Sequence, residues 1–408
     1  MTTIRSAIVT DGVVDSATIL VMMTSGENCK RKMDVSLYIH VPFCSKKCHY
    51  CHFYVIPQNS SHHDLYFHSL KLEWERIEER LNGHKISSIY FGGGTPSLLP
   101  LNQLEQILSW CKASTAWPEK TFEITLEANP EDLTKEKLEA YQNLGINRLS
   151  MGVQCLDDAL LETLGRQHDS KKAIDAVYLA REEGFENISI DLMYDLPGQS
   201  LQSWKHSIDQ ACLLPIKHLS LYNLTIEPHT AFYKKRVELQ AKRPSDQDSL
   251  QMLEYAVEKL GEAELHRYEI SAFAREGYIS QHNSGYWTGR PFLGLGPSAF
   301  SYWEKKRYRN VAKLHAYARH LENEESPIDF SEELEEEASL RELLAIHLRL
   351  LEGVDLPAFE KRWGNLPLTI KQDIERLLKE AYMKQSEEKL QLSEQGLLYY
   401  DHVASELI

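Results

Sequence analysis

Residues 40–53 read His40-Val41-Pro42-Phe43-Cys44-Ser45-Lys46-Lys47-Cys48-His49-Tyr50-Cys51-His52-Phe53. Three of the chain's seven cysteines fall here, spaced C-x3-C-x2-C. Thiolates are soft ligands that suit iron–sulfur clusters, and three in one short loop can hold three corners of a four-iron cubane. The fourth iron then has no protein ligand and is open to a chelating small molecule. Zinc is the competing occupant, because His49 or His52 would complete a Cys3His set. Zinc loops, however, are usually built from C-x2-C knuckles, and the neighbouring His49 and His52 would strain to reach one ion. Inert thiols prefer apolar surroundings, which suits Cys29, Cys111, Cys155 and Cys212 better than this polar loop.

The loop follows Ser36–Val41, the first of six strand candidates. The others are Ile86–Phe91, Thr121–Glu127, Ile146–Gly152, Ile188–Met193 and His218–Asn223. They are short and rich in Ile, Leu, Val, Phe and Tyr, and longer amphipathic stretches separate them; Ile174, Val177 and Tyr178, for instance, stand at helical spacing. Six strand–helix units in series predict an α/β fold, a parallel sheet that partly closes into a TIM-like (βα)6 barrel. Ligands gather at the C-terminal ends of such strands. The polar and glycine motifs fall there: His40 to Cys51, Gly92-Gly93-Gly94-Thr95, Glu127, Gln154 and Asp191.

Beyond Asn223 the pattern becomes irregular. A helix is expected over Asp246–Gly261 and a strand over Tyr268–Phe273, followed by a glycine-rich aromatic segment at 282–303. The acidic run Glu332 to Glu337 reads as a solvated first helical turn, where acids suit the helix dipole. The expected organisation is a poorly ordered extension over 1–32, a barrel over 33–325 and a small, mostly helical domain over 326–408. Met33, just ahead of the first strand, is a candidate later translation start, which a truncation beginning there that failed to fold would refute.

The 408 residues are 42% apolar and 26% charged, ordinary for a soluble protein, with a formal net charge of −15 and a pI near 5.6. That balance argues against nucleic acid as a partner, and against reading the C-terminal region as a winged-helix DNA binder. The odd cysteine count, with its crowding at 44–51, points to a reducing, cytoplasmic setting rather than a disulfide framework. The apolar run Ala17–Met23 lacks a signal peptide's basic start and cleavage site, and no stretch is long enough to span a bilayer. Peripheral membrane contact stays compatible with this reading.

C-x3-C-x2-C after a first strand, with an aromatic (Tyr50) before the last cysteine, resembles the radical-SAM superfamily. Further motifs stand in register: Phe91-Gly92-Gly93-Gly94-Thr95-Pro96-Ser97, Glu127 before Asn129-Pro130, then Gln154, Arg166 and Asp191. The resemblance implies a [4Fe-4S] cluster on Cys44, Cys48 and Cys51, with S-adenosylmethionine on its open iron. Tyr38, Tyr50, Gly93, Gly94, Thr95, Glu127, Gln154, Arg166 and Asp191 are its implied cofactor-binding positions.

Within that superfamily the chain is similar to the oxygen-independent coproporphyrinogen III oxidase-like proteins over about residues 35–400. The matching segments include Ser36 to Pro42, Leu126 to Pro130, Arg148 to Gln154, Leu164 to His168, Asp191 to Gln199 and Leu224 to Pro228. That group holds true dehydrogenases, which oxidatively decarboxylate two propionates of coproporphyrinogen III, and HemW-type haem chaperones, which bind haem and deliver it to partner proteins. The dehydrogenases place a further cysteine where Phe53 stands, and they carry a longer arm than the 43 residues preceding Cys44. Gln281-His282-Asn283-Ser284-Gly285-Tyr286-Trp287 matches the H-N-x-x-Y segment of the chaperones, which makes His282 and Tyr286 the implied haem-binding residues, either of which could supply the iron ligand. Many relatives have histidine where Phe300 stands. Glu269, in the shared segment Tyr268 to Ser271, reads either as a residue orienting a ligand or as a paired strand acid. The chaperone reading leads: cluster, S-adenosylmethionine and haem as cofactors, and haem-accepting proteins, respiratory ones among the candidates, as partners. The alternative is the dehydrogenase.

Overall fold

All six strand candidates form, because their apolar residues run almost without break and so suit strands buried on both faces. In the computed structural model, which describes residues 33–115, 117 and 122–408, they are β1 (Asp34–Val41), β2 (Lys85–Gly93), β3 (Glu123–Ala128), β4 (Arg148–Gln154), β5 (Asn187–Tyr194) and β6 (His218–Asn223). Leu37, Ile39, Ile89, Phe91, Leu126, Leu149, Ile190 and Leu219 are fully buried along them. Each strand pairs in parallel with the next, joined by helical crossovers. The expected N-terminal extension, with Cys29 and Ala17–Met23, and the first residue of the third strand candidate, Thr121, lie outside the described residues.

The sheet is larger than six strands. The expected single strand Tyr268–Phe273 is instead a tight antiparallel hairpin, β7 (His266–Glu269) and β8 (Ala272–Ala274), with β8 edging β6. The segment at 282–303 is regular: helix Gln281–Trp287 is followed by β9 (Phe292–Leu295) and β10 (Phe300–Trp303). Strand β9 lies parallel to β1, so β1 is an interior strand. Next come β11 (Lys306–Asn310) and β12 (Ile328–Glu333), both antiparallel to their neighbours. The order across the sheet is β12-β11-β10-β9-β1-β2-β3-β4-β5-β6-β8-β7. It is a parallel barrel sheet with an antiparallel apron at each end.

The acidic run divides. Glu332 and Glu333 finish β12, facing Arg307 and Lys306 across the sheet, while Glu336 and Glu337 open helix Glu336–His347. Only the second half therefore sits in a first helical turn. Further helices, Leu356–Trp363, Leu368–Lys379, Glu394–Leu398 and Tyr400–Leu407, pack around a small sheet, β13 (Val354–Asp355), β14 (Met383–Ser386) and β15 (Lys389–Leu392). Leu344, Ile370, Leu377, Leu390, Val403 and Leu407 are its buried core. Among the described residues no helix is long and apolar enough to cross a membrane.

Candidate functional site

The cysteine loop is tied down at both ends. At its stem, Phe43–Cys44 pairs with Ile56–Pro57. At its tip, the His49 amide donates to Leu164 O at 3.0 Å, and the His49 ring Nδ1 is 2.9 Å from Thr163 O. The amide of Phe232 donates back to His49 O at 2.9 Å. The His49 ring thus anchors the loop to the end of helix Asp158–Leu164, a different task from completing a zinc set. Among the described residues no three His, Cys, Asp or Glu side chains converge on one ion. A cubane needs no such convergence, since each cysteine takes a different iron.

Donors point at the sulfurs. Arg166 Nη1 donates to Cys48 Sγ at 3.3 Å, and Thr95 Oγ1 lies 3.4 Å from Cys44 Sγ. Burial pushes the Cys44 thiol up to about 11, with Thr95 pulling the other way. Burial also raises Cys51, offset by the Phe53 amide and Lys47. Donors and cations beside a sulfur lower the cost of its thiolate, the form that binds metal.

A cavity of about 500 Å³ opens beside the three cysteines, and Tyr50, Gly93, Gly94, Thr95, Glu127, Gln154, Arg166 and Asp191 line it. These residues meet there because β2 to β5 all end on this side. Gly93 has φ +113, and a Cβ on it would stand 2.7 Å from the His40 ring. A Cβ on Gly94 would stand 2.5 Å from Phe43 O. The glycines therefore let β2 close onto the end of β1 and the cysteine loop, a packing reason beside any approach to a ligand.

Glu127 accepts from Tyr90 Oη at 2.7 Å and from the Gly93 amide at 3.1 Å. Burial nevertheless raises it to about 7, with Asp191 contributing. Asp191 is raised to about 6, again by burial. Arg166 Nη2 donates to Asn129 Oδ1 at 2.7 Å and to Gly152 O at 2.5 Å, and its Nε is buried without a partner. The wall thus offers two carboxyls that gain from a cation and a guanidinium with a donor to spare, a fit for a zwitterion beside the cysteines. Tyr222, which lines the cavity near the end of β6, and Tyr90, which backs it through Glu127 from within β2, were not singled out from sequence; Asn129, just beyond β3, was noted there only as part of a turn motif.

Tyr38, His282 and Tyr286 lie elsewhere. Tyr38 and Tyr286 line a second cavity of about 950 Å³, with His40, Trp287, Phe292, Phe300 and Tyr302. It shares His52 and Phe53 with the first cavity. Tyr38 Oη is 3.0 Å from His40 Nδ1, and His40 Nε2 is buried with no partner. Burial lowers His40 to about 4. His282 sits behind the wall, 1% exposed, and both ring nitrogens are engaged: Nδ1 at 2.9 Å from Ser88 Oγ and Nε2 at 2.7 Å from Tyr286 Oη. Ser88 gives its own proton to Ser36 Oγ, so His282 Nδ1 carries hydrogen and Nε2 accepts the Tyr286 phenol proton. Burial raises the Tyr286 phenol. Glu123 holds this helix start, accepting from the Gln281 and His282 amides at 2.8 and 3.0 Å. Glu269 is buried and paired with Arg349 at 3.3 Å, the paired-acid alternative for that residue.

Residues 38–211 match the family model of the radical SAM superfamily, and residues 334–399 match that of the HemN C-terminal domain. The chain is 34% identical over 369 residues to the heme chaperone HemW of Bacillus subtilis, covering 90% of this chain and 97% of that one. It is 31% identical to the heme chaperone HemW of Escherichia coli, covering 90% and 96%. Among solved structures, coproporphyrinogen III oxidase (HemN) from Escherichia coli, a radical SAM enzyme, superposes with a TM-score of 0.81 at 24% identity, over 92% of this chain and 90% of that one. That likeness speaks for the fold.

Proposed function

We propose that this chain, which belongs to the HemW/HemN family of the radical-SAM superfamily, is a cytoplasmic haem chaperone. It holds a [4Fe-4S] cluster and S-adenosylmethionine in the smaller cavity and haem in the larger, and it passes haem to acceptor proteins, respiratory ones among the candidates. The observation that carries this reading is the second cavity. It has room for a drug-sized or larger ligand, aromatic walls and a phenol on its surface, and it adjoins the cysteine cavity through His52 and Phe53. Phe53 is 49% exposed there and offers an apolar face where the dehydrogenases carry a thiol.

Cys44, Cys48 and Cys51 would hold three irons, with Arg166 and Thr95 donating to sulfur. Glu127 and Asp191 would accept from the ammonium of the amino acid moiety, and the spare Arg166 donor would answer its carboxylate. When bound, the cluster and S-adenosylmethionine supply one-electron chemistry. In the larger cavity Tyr286 would face the haem iron; a hard phenolate oxygen suits ferric haem. His282 Nε2, which accepts the phenol hydrogen bond, would orient that oxygen and take up its proton as the phenolate forms, leaving the outward lone pairs free.

Anaerobic haemin titration of the cluster-reconstituted protein tests this, with Tyr286→Phe and His282→Ala in parallel. Saturable binding is expected, with a phenolate-to-iron charge-transfer band that Tyr286→Phe abolishes and His282→Ala weakens. A wild-type protein with no saturable binding would sink the chaperone reading and turn the test to decarboxylation of coproporphyrinogen III.

A further inference from the structure

Three arginines, Arg290, Arg307 and Arg309, line the larger cavity. Two are answered by acids. Arg307 is paired with Glu332 and Glu342, and Arg309 lies 3.0 Å from Asp329. Arg290 is half-buried, and its Nη1 donates to Ser36 Oγ at 3.3 Å and to Gln281 O at 3.1 Å, both neutral. It has no ion pair among the described residues. Burial holds it below the usual arginine range; Asp34 and Glu123 pull it back up, and Arg362, a smaller influence, pushes it down. Both acids are engaged elsewhere, Asp34 with Lys85 and Glu123 with Arg148 and the Gln281 and His282 amides.

Arg362 comes from helix Leu356–Trp363 and lies within electrostatic reach of Arg290 and of Tyr302 on the cavity wall. Its guanidinium stacks on Trp363 at 4.5 Å from the ring centroid. Trp363 in turn packs against Gly289, 2.9 Å from where a Cβ would stand, and Gly289 is part of the cavity wall. Arg362 is the more exposed of the two and likewise has no ion pair among the described residues. Two neighbouring cations, neither in an ion pair, cost stability, the more so when one is partly desolvated. A ligand that brought the anions would remove that cost.

We propose that Arg290, with the nearby Arg362, is a carboxylate-binding site that takes the acidic side chains of a porphyrin-type macrocycle lying in the larger cavity. The site rests on the reading of that cavity as the haem site and adds how the ligand's edge is recognised. Arg307 and Arg309, already paired, are left to hold β11 to β12 and to helix Glu336–His347. A guanidinium suits this task because its planar donors match a carboxylate.

The test compares haemin with its dimethyl ester, titrated into wild-type protein, Arg290→Leu, Arg362→Leu and Arg290→Gln. Arg290→Gln keeps donors for Ser36 and Gln281, and serves should the leucine variant fold poorly. Haemin affinity should fall about ten- to a hundredfold in either Arg290 variant and less in Arg362→Leu. The ester should bind wild-type protein about as weakly as haemin binds the Arg290 variants, and should lose nothing further on substitution. The iron content and the Tyr286 charge-transfer band should not change. Unchanged haemin affinity in the Arg290 variants, or equal losses for acid and ester, would overturn the carboxylate site while leaving the haem cavity standing. A wild-type protein that bound no haemin would overturn both.

Discussion

At the scale of single residues, Glu127 shows how burial sets charge. Two donors favour its ionised form, yet desolvation, reinforced by Asp191, outweighs them and raises it from 4.5 to about 7. The unfolded chain releases this proton near 4.5, so folding takes up a proton between the two values. The group's contribution to stability is therefore fully present below the unfolded pKa and is lost as pH rises through about 7, a difference of roughly 3 kcal/mol. Glu127→Gln removes that titration. Urea unfolding at pH 5 and pH 8 should show the variant gaining on wild type with rising pH, by about 2 kcal/mol or more. A difference independent of pH would mean that the carboxyl does not titrate in this window. The thiols separate more sharply. Cys44→Ala, Cys48→Ala and Cys51→Ala should each lose most of the iron taken up in anaerobic reconstitution, while buried Cys111→Ala and Cys155→Ala keep about four irons per chain. A colourless wild type that held zinc instead would end the cluster reading. The side chains around the smaller cavity were legible because their motifs recur at strand ends, where a parallel sheet must bring them together. Arg290 was not, since nothing in a sequence says which arginine is left without an ion pair.

At the scale of elements, Gly94 is where two strands and the cysteine loop are closest. Its amide donates to Val41 O at 2.7 Å, and a Cβ would press on both Phe43 O and Val41 O. Both are backbone atoms, so relief requires moving β1 or the loop stem. Gly94→Ala should cost about 1–3 kcal/mol by denaturant unfolding and should reduce iron uptake as well. Unaltered values of both would show that the loop gives way freely. The six parallel strands were readable from apolar runs of ordinary length. Strand β9 was not, because Phe292–Leu295 spans four residues and includes a glycine, too little for periodicity to register. The hairpin β7–β8 was read as one strand for a related reason: its turn at Ile270-Ser271 carries no Gly, Pro, Asn or Asp to mark it.

At the scale of the whole molecule, the C-terminal region forms part of the larger cavity's wall through Leu334, Ser339, Glu342, Leu343 and Ile346. Arg349 fastens it to the barrel. Its guanidinium pairs with buried Glu269 and lies 4.3 Å from the ring centroid of Trp287, on the cavity wall, and 5.2 Å from that of Tyr400. Removing the arginine would strand Glu269, whose pKa burial already raises against the pull of Arg349. Breaking one side of a buried pair costs about 3–5 kcal/mol, whereas replacing both sides with apolar or neutral groups costs far less. Arg349→Met should therefore lower unfolding stability by several kcal/mol, and Glu269→Gln with Arg349→Met should recover much of it. Haemin affinity should follow the same order, because the Trp287 wall loses its backing, while iron content stays level, because the cysteine loop lies apart from this junction. If the single variant lost iron and haem together, the two cavities would share one folding unit, and the haem cavity would not be a separately adjustable part of the molecule.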